Sequence, residues 1–233
     1  MPVFRSGKGL APEWCEMECF DITELPAGAT HTFERMGKKE KLIVTRGRCR
    51  VAFGDQLVEA QGGANLSLTP GAHFEVLDVL EDATLVRMCG RWGDEVGGSG
   101  IFWVEKAQSS GDSGDPVDYP KETGFDSHYH DCDEYWIMVE GRGVAVSEGR
   151  HYEIVPGDCL ATGMGHHHDL PIVHETMVGV FFETTLEGQK RLGHLWEHTH
   201  GPAEPRPDRV GVWECGSVGD SSVERPSGRF GPH

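Results

Sequence analysis

The stretch Ser127 to Gly141, SHYHDCDEYWIMVEG, places His128, His130 and Glu134 within seven residues. Residues two apart in an extended chain point the same way, so both imidazoles can bind one ion. A turn at Asp131 to Asp133 brings Glu134 back toward them, and strand parity then carries Trp136 and Met138 onto the face of Glu134. Downstream, PGDCLATGMGHHHDL has turn signals at Pro156-Gly157 and at Gly163 to Gly165, followed by His166, His167 and His168. One of these three can supply a fourth donor. Three imidazoles and one carboxylate suit Fe(II), Mn(II), Ni(II), Co(II) or Zn(II). Such an ion can polarise a carbonyl or hydroxyl, lower the pKa of bound water, or bind dioxygen.

These donors need short strands to hold them, and the composition supplies the signals. The 233 residues include 32 glycines and 13 prolines spread along the chain, a pattern of many strands joined by turns. In the first half, KLIVTRGRCRVAF reads as two strands around Gly47, and ANLSLTPG and ATLVRMCGRW as further strands. Ser109 to Gly124, SSGDSGDPVDYPKETG, has no periodicity and reads as a solvated linker, with a substrate-gating lid as the alternative. The same grammar then returns in EYWIMVEGRGVAVSEG, HYEIVPGDCLATG and ETMVGVFFETT. Glu40 precedes Gly47 by the same interval that separates Glu134 from Gly141, which points to an internally duplicated β-barrel unit. LEGQKRLGHLWEH, with Leu186, Leu192, Leu195 and Trp196, is expected to form a short helix, and an irregular tail from Gly201 to be pinned by Trp213.

Charge narrows the partners. Lys and Arg total 21 against 38 Asp and Glu, a formal charge of −17, so nucleic acid and anionic membranes would be repelled. No apolar run approaches the roughly 18 to 20 residues of a membrane span, and the N-terminus lacks the apolar core of a signal peptide; a cytoplasmic location is expected. Seven cysteines without a CxxC pair read as reduced thiols. Cys132, in the motif loop, carries no indication of catalysis.

The residues also carry a family resemblance. Gly124 to Gly141 resembles the first cupin motif, with two histidines one residue apart, a glutamate four after the second and a glycine seven beyond it. Gly149 to His168 resembles the second motif, and the alignment puts the fourth ligand at His168, with His166 and His167 a short register slip away. The resemblance implies an all-β fold of duplicated cupin (RmlC-like jelly-roll) β-barrels, with the short C-terminal helix and irregular tail appended. The expected division is residues 1–106 for a degenerate N-terminal barrel, 107–124 for the linker, 125–185 for the core of the metal-binding barrel, and 186–233 for helix and tail. In the first half, Phe33 stands where the second histidine would, and His31, Glu40 and His73 form a poor ligand set; that barrel is expected to be filled by Phe33, Phe53 and Phe74.

One divalent transition metal per chain is therefore expected at His128, His130, Glu134 and His168, with iron placed first. Trp136, Met138 and Phe182, with Phe181 beside it, are the expected substrate-pocket residues, and His166, His167 and Glu183 the candidates for proton transfer. Tyr129 and Tyr135 alternate away from the ligands and are expected to pack, and His194, His198 and His200 are read as solvent-exposed. Within cupins the resemblance allows dioxygenase, isomerase or epimerase, decarboxylase and hydrolase chemistry. An oxygenase acting on a small polar organic molecule ranks first, a sugar isomerase or epimerase second, and a non-catalytic metal- or sugar-binding module third. Because exposed strand edges need covering, a homodimer is the expected assembly.

Overall fold

The computed structural model describes residues 3–6, 11–67, 73–107, 114–185 and 204–210. Twelve strands run in chain order: β1 (Val3–Arg5), β2 (Met17–Leu25), β3 (His31–Thr32), β4 (Lys39–Phe53), β5 (Gln56–Gln61), β6 (Asn65–Ser67), β7 (Phe74–Gly90), β8 (Val96–Val104), β9 (Glu134–Ser147), β10 (Arg150–Ile154), β11 (Asp158–Thr162) and β12 (His168–Thr185). There is no helix among the described residues, so the all-β expectation holds. Among the described residues, no helix is long and apolar enough to cross a membrane. The expected helix after Leu186, the histidines His194, His198 and His200, and Trp213 lie outside the described residues.

The strands form two six-stranded sheets of matching plan. In one, β4 pairs β7 on one side and β5 and β6 on the other, with β2 beyond β7 and β3 also on β7. In the second, β9 pairs β12 on one side and β10 and β11 on the other, with β8 beyond β12 and β1 beyond β11. The register repeats too: Glu40 faces Cys89 as Glu134 faces Glu183, and Leu42 faces Arg87 as Trp136 faces Phe181. The echo between the two halves of the sequence is thus an echo in strand pairing. Sheet membership departs from a division at residue 106, because β8 pairs β12 and β1 pairs β11, both in the second sheet.

β4 is a single bent strand, where two strands around Gly47 were expected, and β9 bends in the same way at Gly141. Both glycines have positive φ, 78° and 75°. A Cβ there would lie 2.1 Å from the carbonyl oxygen of Asp82 or Thr176 on the neighbouring strand. Glycine therefore lets each long strand bend without leaving its ladder. The hairpin turn of the second sheet comes later, at Glu148 and Gly149, where two successive positive φ values of 55° and 68° match the twist of the flanking strands.

Strand alternation divides the apolar residues into three clusters. Leu25, Phe33, Leu42, Val44, Phe74, Val76 and Leu85 fill the first sheet's concave side. Trp136, Met138, Leu160, Leu170 and Met177, with Phe102, Phe125 and Phe181 against them, fill that of the second. A third cluster joins the outer faces of the two sheets, with Phe20, Ile43, Val86 and Met88 meeting Tyr135, Ile137, Val180 and Phe182. Each such fully buried side chain contributes about 1.5 to 3 kcal/mol, so this seam fixes the sheets to each other. Tyr135, expected to pack away from the donors, lies in this seam and accepts the Glu16 N–H through its hydroxyl at 2.9 Å.

The segment leading to His128 is also tied down, contrary to a solvated linker. Tyr119 and Lys121 converge on the buried carboxylate of Asp169, with the Tyr119 hydroxyl at 2.9 Å and Lys121 Nζ at 2.9 Å. Lys121 Nζ also donates to the Phe125 carbonyl. Both members of the ion pair are almost fully buried, 5% and 0% exposed by side chain, so removing one leaves an uncompensated charge.

Two stability predictions follow from these contacts. Gly141→Ala should lower the urea midpoint by the equivalent of about 2 kcal/mol or more, through a backbone clash as well as strain. Gly149→Ala, whose Cβ would meet nothing within 4 Å, should cost only about 1 kcal/mol; equal losses would contradict the close-approach argument. Lys121→Met should destabilise by about 3 to 5 kcal/mol in thermal or chemical unfolding, and adding Asp169→Leu should recover much of that loss. Additive losses in the double variant would show that the two charges are not coupled.

Candidate metal centre

The segment before β9 and the start of β12 are locked together by two backbone bonds. The His168 N–H donates to the His128 carbonyl at 2.9 Å, and the His128 N–H to the His168 carbonyl at 3.2 Å. The Gly165 N–H donates to the His130 carbonyl at 2.8 Å, which holds the glycine-rich turn beside the same segment. Asp133 secures Glu134 from the next position. Its carboxylate accepts the Met164 N–H at 2.9 Å and Arg209 Nη1 at 2.5 Å, and its carbonyl accepts the Thr184 N–H at 2.9 Å.

Two of the imidazoles have their tautomer set by the backbone. His128 Nδ1 lies 3.0 Å from the Asp126 carbonyl and His168 Nδ1 3.0 Å from the His166 carbonyl. A carbonyl only accepts, so each Nδ1 carries the proton and each Nε2 presents a lone pair to the interior. Glu134 Oε2 then sits 2.6 Å from His168 Nε2, 3.0 Å from His130 Nε2 and 3.9 Å from His128 Nε2. One donor atom from each of the four residues lies within 4.8 Å of the others, and all four residues are buried.

His168 Nε2 and Glu134 Oε2 are buried and approach to 2.6 Å, although the His168 proton is placed on Nδ1. Lone pairs aimed at a common third point produce that arrangement. Ligand bonds of about 2.0 to 2.2 Å at right angles bring neighbouring donor atoms to about 3 Å, in keeping with the spacing here. The donor set therefore fits a divalent transition ion, and its mix of imidazole and carboxylate does not select one.

Electrostatics point the same way. Burial disfavours charge on His128, and the neighbouring His168 adds to this, so its imidazole is held neutral, well below the ordinary histidine range. Burial also opposes ionisation of Glu134, but the attraction of His130 and His168 overcomes it and keeps the carboxyl well below the usual range. His168 is pushed up instead, because the Glu134 carboxylate outweighs its burial. A buried carboxylate facing three imidazoles, one of them held neutral by burial, is suited to a cation.

The remaining expected residues divide. Glu183 comes to the site: its Oε1 is 3.6 Å from His130 Nε2 and it faces Glu134 across the ladder. Gly97 makes room for it, since a Cβ there would lie 2.2 Å from Glu183 Oε2. His166 and His167 turn away, His166 Nε2 to the Arg206 carbonyl at 2.9 Å and His167 Nε2 to Asp115 at 2.6 Å. Trp136 stands against the donors, 5.1 Å from the His168 ring between centroids, and Met138 lies deeper in the same cluster. Phe182, expected in the pocket, lies on the opposite face against Trp92 at 4.8 Å, because Phe181 holds the position facing Trp136. Phe102 and Phe125 complete the aromatic wall, 5.9 Å and 5.2 Å from Trp136. Both were missed: Phe102 lies on β8, whose pairing joins it to the second sheet, and long-range ties to Asp169, Leu170 and Pro171 bring the segment carrying Phe125 over the site.

The first sheet holds an internal cation at the matching place. Glu40 is buried and accepts the Met36 and Gly37 N–H groups through Oε1, while its Oε2 lies 3.8 Å from Arg87 Nη1. Arg87 also pairs with Asp21 at 2.5 Å and lies over the Phe33 ring at 4.9 Å. His31 packs on Phe33 at 4.4 Å, and His73 is exposed. Among the described residues, the donors grouped closely enough for a metal are His128, His130, Glu134 and His168.

Comparison with known proteins bears on the fold and the family. No family model matches the chain. An IolB-like protein from Salmonella typhimurium LT2 matches with a TM-score of 0.51 at 13% identity, over 85% of this chain and 97% of the other. Oxalate decarboxylase from Bacillus subtilis matches with a TM-score of 0.51 at 10% identity, over 75% of this chain and 69% of the other. These likenesses concern the fold, which is that of the cupins. The uncharacterized protein y4oW of Sinorhizobium fredii (strain NBRC 101917 / NGR234) is 48% identical over 220 residues, 90% of this chain and 97% of the relative. The chain has the cupin fold and belongs to the same protein family as y4oW.

Proposed function

We propose that the chain is a bicupin whose second barrel binds one divalent transition metal through His128, His130, Glu134 and His168 and acts on a small polar organic substrate. The observation that carries this reading is the convergence of four buried donor atoms within 4.8 Å. The first barrel is degenerate in this reading: Arg87 offsets the charge of Glu40 and pairs with Asp21, and the domain serves as a packing partner. A bound ion would supply Lewis acidity and an open position for substrate, water or dioxygen.

Oxygenation with Fe(II) is the leading reaction class. The chain's contribution to it is a shielded, apolar wall of Trp136, Phe102, Phe125 and Phe181 beside the donors, which excludes water from reactive species. A metal-dependent isomerase or epimerase is the second reading, favoured by one specific observation. The Glu183 carboxylate, 3.6 Å from His130 Nε2, stands where it can take a proton from one substrate carbon and return it to another. A homodimer is proposed as the assembly, supported by the position of β8 at the end of its sheet with Trp103 66% exposed.

The function is tested by metal analysis and oxygen uptake on tag-free protein with a panel of small polar substrates. About one Fe per chain, lost in His128→Ala/His130→Ala, with substrate-dependent oxygen uptake is the expected result. Bound Mn, Ni or Zn without uptake would shift the reading to the isomerase. There, Glu183→Gln should keep its metal while turnover falls by about 10² to 10⁴-fold. Absence of metal after reconstitution would overturn both readings. Sedimentation equilibrium should give twice the chain mass, and a monomer would contradict the dimer.

A further inference from the structure

A second chemically competent pair lies in the first sheet, away from the metal donors. β2 and β7 place Cys19 directly opposite Cys89. Opposed residues of an antiparallel pair have Cα atoms about 4.5 or 5.5 Å apart, and both spacings fall within the roughly 4.4 to 6.8 Å that a disulfide spans. The two thiols are close enough for each to shift the other's ionisation. Cys19 is half-buried and so reachable from solvent, whereas Cys89 is fully buried behind it. No other two described cysteines face each other across a strand pair.

The surroundings favour reaction at Cys19. The neighbouring Cys89 thiol lowers the Cys19 thiol below the ordinary range against the opposing effects of burial and Asp21, and the Arg87 guanidinium adds to the lowering. Arg87 is held two register pairs along the same two strands, on the same face, bonded to Asp21. A thiol with a depressed pKa, solvent access and a resolving thiol beside it has the attributes of a redox-sensitive cysteine.

We propose that Cys19 and Cys89 form a redox-active dithiol, oxidised to a cross-strand disulfide by low-molecular-weight disulfides of the glutathione class. The Cys19 thiolate attacks one sulfur of the oxidant, forming a mixed disulfide and expelling one thiolate of the small molecule. Cys89 gives up its proton and attacks Cys19 Sγ, expelling the second thiolate. Two protein thiols are oxidised and one small disulfide is reduced to two thiols. The new bond ties β2 to β7 beside the register shift between Met17 and Cys19, at the position in the first sheet that Glu183 occupies in the second.

The test treats the full chain with glutathione disulfide, blocks remaining thiols by alkylation and maps peptides without reduction. The expected result is a peptide linking Cys19 to Cys89, lost on treatment with a reductant. Cys89→Ser should instead trap glutathione on Cys19, and Cys19→Ser should leave Cys89 reduced. Should the buried substitution at Cys89 fail to fold, the native chain and Cys19→Ser still decide the matter. Recovery of both cysteines as alkylated thiols, or stable glutathione on Cys19 of the native chain without the link, would overturn the proposal.

Discussion

The antiparallel ladder between β9 and β12 sets Glu134 opposite Glu183, Trp136 opposite Phe181 and Ser147 opposite His168. Because side chains alternate, that register decides two things at once. One face receives the donors and their aromatic wall, and the other receives Tyr135, Ile137, Val180 and Phe182 for the seam with the first sheet. A slip of one residue would turn the seam residues onto the donor face and the donors onto the seam face. The ladder is irregular at several points between Asp169 and Gly179, and Gly141 absorbs one of these bends under a neighbouring carbonyl.

The two sheets solve one electrostatic problem in different ways. Each buries a glutamate at the start of its central strand, and a buried carboxylate requires a compensating positive partner or several donors. In the first sheet Arg87 provides the charge, and backbone N–H groups of Met36 and Gly37 provide the bonds. In the second sheet the position that corresponds to Arg87 is Phe181, so Glu134 faces three imidazoles, of which burial keeps His128 neutral. The same plan therefore accommodates a built-in cation on one side and calls for an external one on the other.

Much of the second site was legible in the sequence because it is local. His128, His130 and Glu134 fall within seven residues, and parity alone carries Trp136 to their side. Phe182 shows how fragile such reasoning is away from the motif, since a shift of one residue separates the pocket face from the seam. His166 and His167 share a run with His168, yet backbone bonds and Asp115 draw them elsewhere. Long-range ties carried no local signal: Arg209 reaches Asp133 across 76 positions, and Lys121 reaches Asp169 across 48. The pairing of β8 with β12 rather than with the first sheet was hidden for the same reason, its glycines being needed for Glu183 and Phe181 rather than for a turn.

The central claim, that the second sheet gathers a metal-binding centre and the first does not, is tested most directly by anomalous diffraction. Crystals of tag-free protein would be measured on both sides of the absorption edge of the ion identified in solution. The account predicts one strong peak in contact with His128 Nε2, His130 Nε2, Glu134 Oε2 and His168 Nε2, and none beside Glu40 and Arg87. A peak beside Glu40, or no peak among the four donors in crystals saturated with the ion, would contradict it.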